Sequence, residues 1–353
     1  MQLLRILLLP VSFLYGSGVS IRNFFYNIGL LPSKNFKVPI LSVGNLSVGG
    51  TGKTPQIEYL IRLLKDKYAV ATLSRGYGRR TSGFRYVKND STSTDVGDEP
   101  RQFAHKFSGI PIAVDANRVH GIKKLMEDHA GLKAILLDDA FQHRAVKAGV
   151  SILLTDYSRL YYSDQVVPTG SLREFKSGAR RADIIVVTKC PRNLSPIEKR
   201  CVSRDLKPFP YQQVYFTTIG YGELIPLTNQ SPKKIESASH VLLLTGIANA
   251  NPLLAYIKET TKQVTHLSYP DHHEYSIVEL ENLRKQFEAI GSENKMIITT
   301  EKDAMRIDKA GLLEVVQHLP LFYLPIETVF LFDEGEQFNK HILDYVKGNP
   351  KFN

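Results

Sequence analysis

Between Ser42 and Pro55 the chain reads Ser-Val-Gly-Asn-Leu-Ser-Val-Gly-Gly-Thr-Gly-Lys-Thr-Pro, and the residue types in this run are those that hold a phosphate group. Gly49, Gly50 and Gly52 let backbone amides turn inward onto phosphate oxygens. Lys53 adds a mobile cation, and Thr54 a hydroxyl suited to Mg²⁺. Ser47, Val48, Gly49, Gly50, Thr51, Gly52, Lys53 and Thr54 are therefore the candidate binding loop for a nucleoside triphosphate. Ser47 stands where the phosphate-loop pattern has its first glycine. A Gly-rich turn alone is ordinary punctuation between elements. Here it follows an apolar, β-branched segment from Val38 to Val43 and precedes Ile57, Leu60, Ile61 and Leu64 at helical spacing, so strand, loop and helix come in the required order.

Other polar groups recur at the ends of apolar runs. Ala134 to Leu137 leads into Asp138 and Asp139, the place from which a phosphate-loop enzyme holds Mg²⁺ directly or through water. In isolation such a pair is a helix cap or a turn; beside Lys53 and Thr54 it reads as a metal site. Gln142, His143 and Arg144 follow it. Asp98 and Glu99 precede Pro100 at the start of a helical stretch, where N-capping is the plain reading. Asp115, Asn117 and Arg118 open the next helix. Ligands of open α/β sheets bind at the carboxyl ends of parallel strands, where these groups fall. Arg173 is a candidate cation for developing phosphoryl charge. Asp271-His272-His273-Glu274 has some metal-ligand character but no His-Glu-x-x-His spacing, and His272 is read instead as a proton-transfer group that depends on closure of a second lobe.

The elements that must position these residues follow from the apolar pattern. Segments at 68–73, 111–114, 134–137, 151–155 and 183–188 are near-continuous runs of Val, Ile and Leu separated by helical patterns, as a parallel sheet covered on both faces requires. The fold class is α/β: a phosphate-loop NTPase-like doubly wound parallel sheet, with a smaller C-terminal α/β lobe joined by a β-ribbon linker and a hydrophobic N-terminal helix. The alternating run Gln213 to Thr217 is the expected ribbon, and a single strand over 321–332 is its expected partner on the way back. The second lobe opens with the strand 241–246 and a helix from Pro252. Four segments result: residues 1–33 as a membrane-interface helix region, 34–224 as the phosphate-loop core, 225–320 as the smaller lobe and 321–353 as the return strand and C-terminal segment.

With 353 residues, 43% of them hydrophobic and 23% charged, the chain is globular in composition and long enough for two cores. A net charge of +10 calls for an anionic partner, nucleic acid or an acidic lipid surface. No helicase or single-strand-binding motif accompanies it, so nucleic acid is not expected. Cys190 and Cys201 form neither a zinc pattern nor a disulfide framework. From Leu3 to Leu14 an apolar block is interrupted only by Arg5, Pro10 and Ser12 and ends near Gly16, short of the roughly 20 residues a spanning helix needs. An interfacial helix is expected, with Arg22, Lys34 and Lys37 near lipid headgroups and Phe24, Phe25 and Tyr26 at the boundary; a buried N-terminal helix is the alternative.

Taken together, Gly44 to Pro55, Ser74-Arg75-Gly76-Tyr77-Gly78, Gly97-Asp98-Glu99-Pro100, Leu137 to His143, Pro270-Asp271-His272-His273 and Thr300-Glu301-Lys302-Asp303 resemble the tetraacyldisaccharide 4'-kinase family over nearly the whole chain. The resemblance implies transfer of the γ-phosphoryl group of ATP to the 4'-hydroxyl of a tetraacylated glucosamine disaccharide 1-phosphate, an anionic glycolipid, at the cytoplasmic face of the bacterial inner membrane. No obligate protein partner is implied. It further implies Asp98 as the base with His272 assisting, Lys53 and Arg173 as phosphoryl cations, and Thr54, Glu99, Asp138 and Asp139 around Mg²⁺. Arg75, Tyr77, Asn117, Arg118, Gln142 and His143 would line the disaccharide site. The other class of reading is a nucleotide-switch protein or an ATPase acting on another anionic partner. Thr188-Lys189-Cys190-Pro191 approaches the guanine signature, but Pro191 stands where an Asp must pair with the base.

Overall fold

The computed structural model describes residues 2–88, 90–309 and 311–348, and for residues 2–6 the backbone alone. Its strands are β1 (Ile40–Asn45), β2 (Val70–Ser74), β3 (Arg85–Tyr86), β4 (Ile112–Val114), β5 (Ala134–Asp138), β6 (Val150–Asp156), β7 (Ile184–Thr188), β8 (Gln213–Tyr221), β9 (Ile225–Pro226), β10 (His240–Thr245), β11 (Gln263–Ser268), β12 (Lys295–Thr300), β13 (Leu321–Leu324) and β14 (Ile326–Phe330). Its α-helices are α1 (Gln2–Asn27), α2 (Lys53–Leu64), α3 (Ser93–Val96), α4 (Asp98–Lys106), α5 (Arg118–Asp128), α6 (Pro196–Leu206), α7 (Asn251–Thr260), α8 (Ile277–Ala289), α9 (Glu301–Ile307), α10 (Leu312–Val316) and α11 (Gly335–Val346).

Apolar runs without alternation form strands only if both faces are covered. In β1, β2, β5 and β7 every residue is buried, and alternate side chains enter different cores. Leu41, Val43, Leu136, Ile152 and Val186 pack under α2 and α11 with Ile57, Leu60 and Phe338. Ile40, Ile135 and Leu137 meet Ile122 and Leu125 of α5 on the other face, while Leu153, Ile185 and Val187 meet Leu194 and Leu206. These strands belong to a nine-stranded sheet ordered β14-β8-β7-β6-β1-β5-β2-β4-β3. From β8 to β4 all neighbours are parallel, and β14 and β3 close the edges antiparallel.

A second sheet, β11-β10-β12-β13-β9, carries its own cores beneath α7 and α8. Two chain crossings join the sheets side by side. β8 ends at Tyr221 and β9 begins at Ile225; β13 ends at Leu324 and β14 begins at Ile326, with Gly222 N donating to Pro325 O at 3.0 Å between them.

Two local expectations are corrected. The strand expected over 321–332 is two strands in different sheets. Pro325 has no N–H to continue a ladder, so the chain changes sheet there. The alternation expected in β8 is absent from its burial, because β8 is an interior strand between β7 and β14 and its middle residues are covered on both faces. The N-terminal helix runs to Asn27, past the end of the apolar block near Gly16. Gly16 is where the Phe175 ring crosses the helix, and Ser12 accepts from Thr169 N at 3.0 Å, so tertiary contacts carry the helix past both Pro10 and Gly16. The apolar side chains expected at Leu3, Leu4 and Ile6 lie outside the described residues. Among the described residues no helix is long and apolar enough to cross a membrane.

Candidate active site

The loop between β1 and α2 is held from both sides. Asn45 Nδ2 donates to Thr51 Oγ1 at 2.8 Å, and Val48 N to Ser171 O at 2.8 Å. Gly52, at φ 84°, turns the chain into α2, whose first residues are Lys53 and Thr54. Thr188 Oγ1 donates to Thr51 O at 2.9 Å, while Lys189 Nζ reaches Gly50 O and lies 2.8 Å from Asp156 Oδ2. The Thr-Lys pair that resembled a guanine signature thus buttresses the loop by satisfying its outward carbonyls.

Lys53 Nζ lies 3.7 Å from Asp139 Oδ1, and Arg173 Nη1 donates to both Asp139 oxygens at 3.1 Å. Arg173 is placed by its own backbone, whose N–H donates to Leu46 O at 2.7 Å. Burial would raise the Asp139 carboxyl, but Lys53 and Arg173 hold it below the ordinary range. Asp138 behaves oppositely: burial, then Asp139 and Glu99, push it up to about 6. Its Oδ2 accepts from Ser74 Oγ at 3.3 Å, and its Oδ1 is buried with no hydrogen-bond partner. Among the described residues no cluster of three or more His, Cys, Asp and Glu side chains is arranged as a metal site.

The second group of carboxylates sits on the first turn of α4, facing the other lobe. Lys302 of α9 donates to Glu99 Oε1 at 2.6 Å. Arg306 donates to Asp98 Oδ2 from Nε at 3.1 Å and from Nη2 at 2.7 Å, and His272 Nδ1 lies 3.3 Å from the same oxygen. Burial opposes ionisation of Asp98, yet the His272 hydrogen bond and the Arg306 charge bring it down to about 2. Asp98 in turn raises the His272 imidazole, so the pair favours imidazolium and carboxylate. His273, by contrast, points into the lobe, 3.0 Å from Glu279 Oε1 and stacked on Tyr269. The structure therefore separates the two histidines and brings His272 to Asp98.

The six residues read as lining the disaccharide site are not equivalent. Tyr77 is 74% exposed with its ring 6.1 Å from that of His272, and Arg75 is also exposed. Gln142 bridges the two edges of the site, donating to Asn45 O at 2.8 Å and accepting from Arg173 at 3.4 Å. His143 is half-buried; burial and then Arg118 push it down to about 4, so it is uncharged at neutral pH. Asn117 caps α5 by accepting from His120 N at 3.1 Å. Arg118 is fully buried, and its guanidinium donates to Asp115 O at 2.7 Å and Asp138 O at 3.2 Å. In this arrangement it organises the strand ends. Sequence reasoning gave no role to Ser74, Lys302 or Arg306. The only signal for the last two was the Thr-Glu-Lys-Asp run, with Arg306 one helical turn beyond Asp303.

Residues 4–347 match the family model for tetraacyldisaccharide-1-P 4'-kinase, LpxK. The tetraacyldisaccharide 4'-kinase of Flavobacterium johnsoniae is 47% identical over 351 residues, covering 99% of each chain. That of Phocaeicola vulgatus is 44% identical over 350 residues, covering 98% of this chain and 96% of the relative. A crystal structure of LpxK from Aquifex aeolicus in complex with ATP superposes with a TM-score of 0.76 at 28% identity, covering 97% of this chain and 99% of that one. The chain belongs to the tetraacyldisaccharide 4'-kinase family.

Proposed function

We propose that the cleft transfers the γ-phosphoryl group of ATP to the 4'-hydroxyl of a tetraacylated glucosamine disaccharide 1-phosphate, with Asp98 as the base. The observation that carries the reading is the position of Asp98: on the first turn of α4, held by His272 and Arg306 of the other lobe, and next to Glu99, whose charge is felt at Asp138 beside the phosphate loop. A sugar hydroxyl is a poor nucleophile near neutral pH. Asp98 takes its proton as the new O–P bond forms and the bond from the γ-phosphorus to its bridging oxygen breaks, leaving ADP. The phosphate-loop amides hold the nucleotide, and Lys53 and Arg173 carry charge on the phosphoryl group as it moves. Arg75, Tyr77, Asn117, Gln142 and His143 form the acceptor side, with Arg118 supporting them from beneath.

Mg²⁺ fits the donors present. Thr54, Glu99, Asp138 and Asp139 all offer oxygen, and Asp138 Oδ1 is a buried acceptor without a partner, raised by burial and like charge to a pKa that a cation would relieve. When bound, the ion neutralises phosphate oxygens. The acidic lipid surface that the net charge of +10 calls for would meet the exposed apolar side of α1, at the cytoplasmic face of the inner membrane.

The test is a micelle assay with γ-labelled ATP, Mg²⁺ and tetraacyldisaccharide 1-phosphate. Label is expected in the lipid at the 4'-position, and Asp98→Asn is expected to lower the rate roughly 10²–10⁴-fold with ATP binding intact. ATP hydrolysis without lipid labelling would favour a nucleotide switch or another acceptor.

A further inference from the structure

Arg306 holds Asp98 but has been given no role in the transfer itself; its guanidinium is fully buried, and a charge so placed needs several partners to be tolerated. Its partners divide into two sets. On one side Nη1 donates to Asp303 Oδ1 at 2.9 Å and to Gly246 O at 2.8 Å. Asp303 is itself fixed, accepting from Thr300 Oγ1 at 2.6 Å and from Gly246 N at 3.0 Å. One edge of the guanidinium plane is thereby locked to the frame of the second lobe. The other edge, Nε and Nη2, is presented across the cleft to Asp98 Oδ2, and Nη2 also lies 3.3 Å from His272 Nδ1, which converges on the same carboxylate oxygen.

Two donors of a rigid fork on one oxygen fix the direction of a carboxylate more strictly than a single point charge does. Holding the lobes together does not require this contact. Lys302 to Glu99 at 2.6 Å, Lys106 to Glu301 at 3.0 Å, and Arg101 to Asp308 at 2.9 Å already tie α4 and its neighbours to α9 and the residues after it.

We propose that Arg306 is a positioning residue for the transfer reaction: from the second lobe it sets the orientation of the Asp98 carboxylate, so that the base is correctly aimed only while α9 is docked on α4. This rests on the reading of Asp98 as the base. It makes lobe docking and base alignment one event, because the residue that aims the base belongs to the lobe that docks.

The experiment is a double-mutant cycle in the full-length enzyme, using Arg306→Gln, Arg306→Lys, Asp98→Asn and the Arg306→Gln/Asp98→Asn pair, with kcat, the KM for ATP and thermal melting measured for each. Misplacing a reacting group by about 1 Å costs on the order of 100-fold. Arg306→Gln is therefore expected to lower kcat by about that factor with the KM for ATP unchanged, and Arg306→Lys to recover part of the loss by keeping one donor. In the Asp98→Asn background Arg306→Gln is expected to do nothing further, since the group it aims is gone. Wild-type kcat in Arg306→Gln overturns the proposal. So does an equal fold-loss in both backgrounds, which would mean that Arg306 acts through stability and not through Asp98. Full activity in Asp98→Asn would instead overturn the base reading beneath it, and is told apart because it needs no change at Arg306.

Discussion

Neighbouring carboxylates of one chain acquire opposite characters from their surroundings. Asp139 faces Lys53 and Arg173 and stays ionised, whereas Asp138, one residue earlier, is buried among like charges. The ordinary value for Asp138 is 3.8 and its folded value about 6, so the folded chain binds this proton more tightly than the unfolded chain does. Stability contributed by the group is accordingly lost as pH rises from about 4 to 6 and stays lost above. Asp138→Asn is therefore expected to melt later than the wild type at pH 7.5 in a chelator, by on the order of 1–3 kcal/mol. The gain should vanish near pH 4, while Mg²⁺-dependent transfer is lost at every pH. An Asn variant that melts earlier at pH 7.5 would show that the charge at Asp138 is already compensated. At this scale the sequence was informative where chemistry is contiguous: Gly49 to Thr54 and the Asp138-Asp139 pair announce themselves by order alone. Arg306 could not be read, because its partner lies 208 residues away and nothing local marks the contact.

Loops and helix starts, more than the sheet, decide where the catalytic groups stand. Gly97 precedes α4 with φ 96°, and a Cβ at this position would sit 3.0 Å from Tyr77 O and 3.3 Å from the Gly76 backbone. The loop carrying Arg75 and Tyr77 thus lies directly on the turn that launches Asp98 and Glu99, and only glycine permits both the angle and the approach. Gly97→Ala adds a left-handed strain of about 1–3 kcal/mol and pushes the two loops apart. Its kcat is expected to fall about 100-fold while ATP affinity, set by the loop between β1 and α2, is retained. Loss of ATP binding in this variant would mean that the phosphate loop depends on α4. The parallel strands were legible from their apolar runs, since burial on both faces leaves a direct trace in composition. The split of 321–332 into β13 and β14 was not, because sheet membership depends on partners such as Thr217 and Ile297 that are distant in sequence. The contacts that dock α1 were hidden for the same reason: Phe175 at Gly16 and Thr169 at Ser12 are distant in sequence.

For the whole molecule the question is how a water-exposed cleft meets an acyl chain. In the function we propose, α1 would answer with two sides. One is tied to the site: Asn23 Nδ2 donates to Glu174 at 2.8 Å, Arg22 to Gln142 O at 2.9 Å, and Ser12 accepts from Thr169 N. The segment from Thr169 to Glu174, which makes the bonds to Ser12 and Asn23, also carries Arg173. The other side leaves Leu7, Phe13, Leu14, Ile21 and Phe24 exposed, an apolar stripe of the kind that marks an interaction surface. Arg22, expected at the headgroups, is partly engaged with Gln142, so the attraction to an acidic surface that we propose would rest on the general excess of positive charge. Phe13 and Leu14 are well exposed, so replacing both with Ser should spare the fold. Each would contribute about 1.5–3 kcal/mol if buried fully in lipid. The Phe13→Ser/Leu14→Ser variant is then expected to bind anionic vesicles on the order of 10²–10⁴-fold more weakly and to show a raised KM for vesicle-borne acceptor, with kcat on detergent-dispersed acceptor preserved. Raising salt should weaken the wild type further, because charge supplies the rest of the attraction. Unchanged vesicle binding would assign the stripe to a protein contact. A parallel fall in kcat on dispersed acceptor would mean that the exposed side of α1 shapes the cleft itself, transmitting through Ser12 and Asn23 to the strand-end loop that holds Arg173.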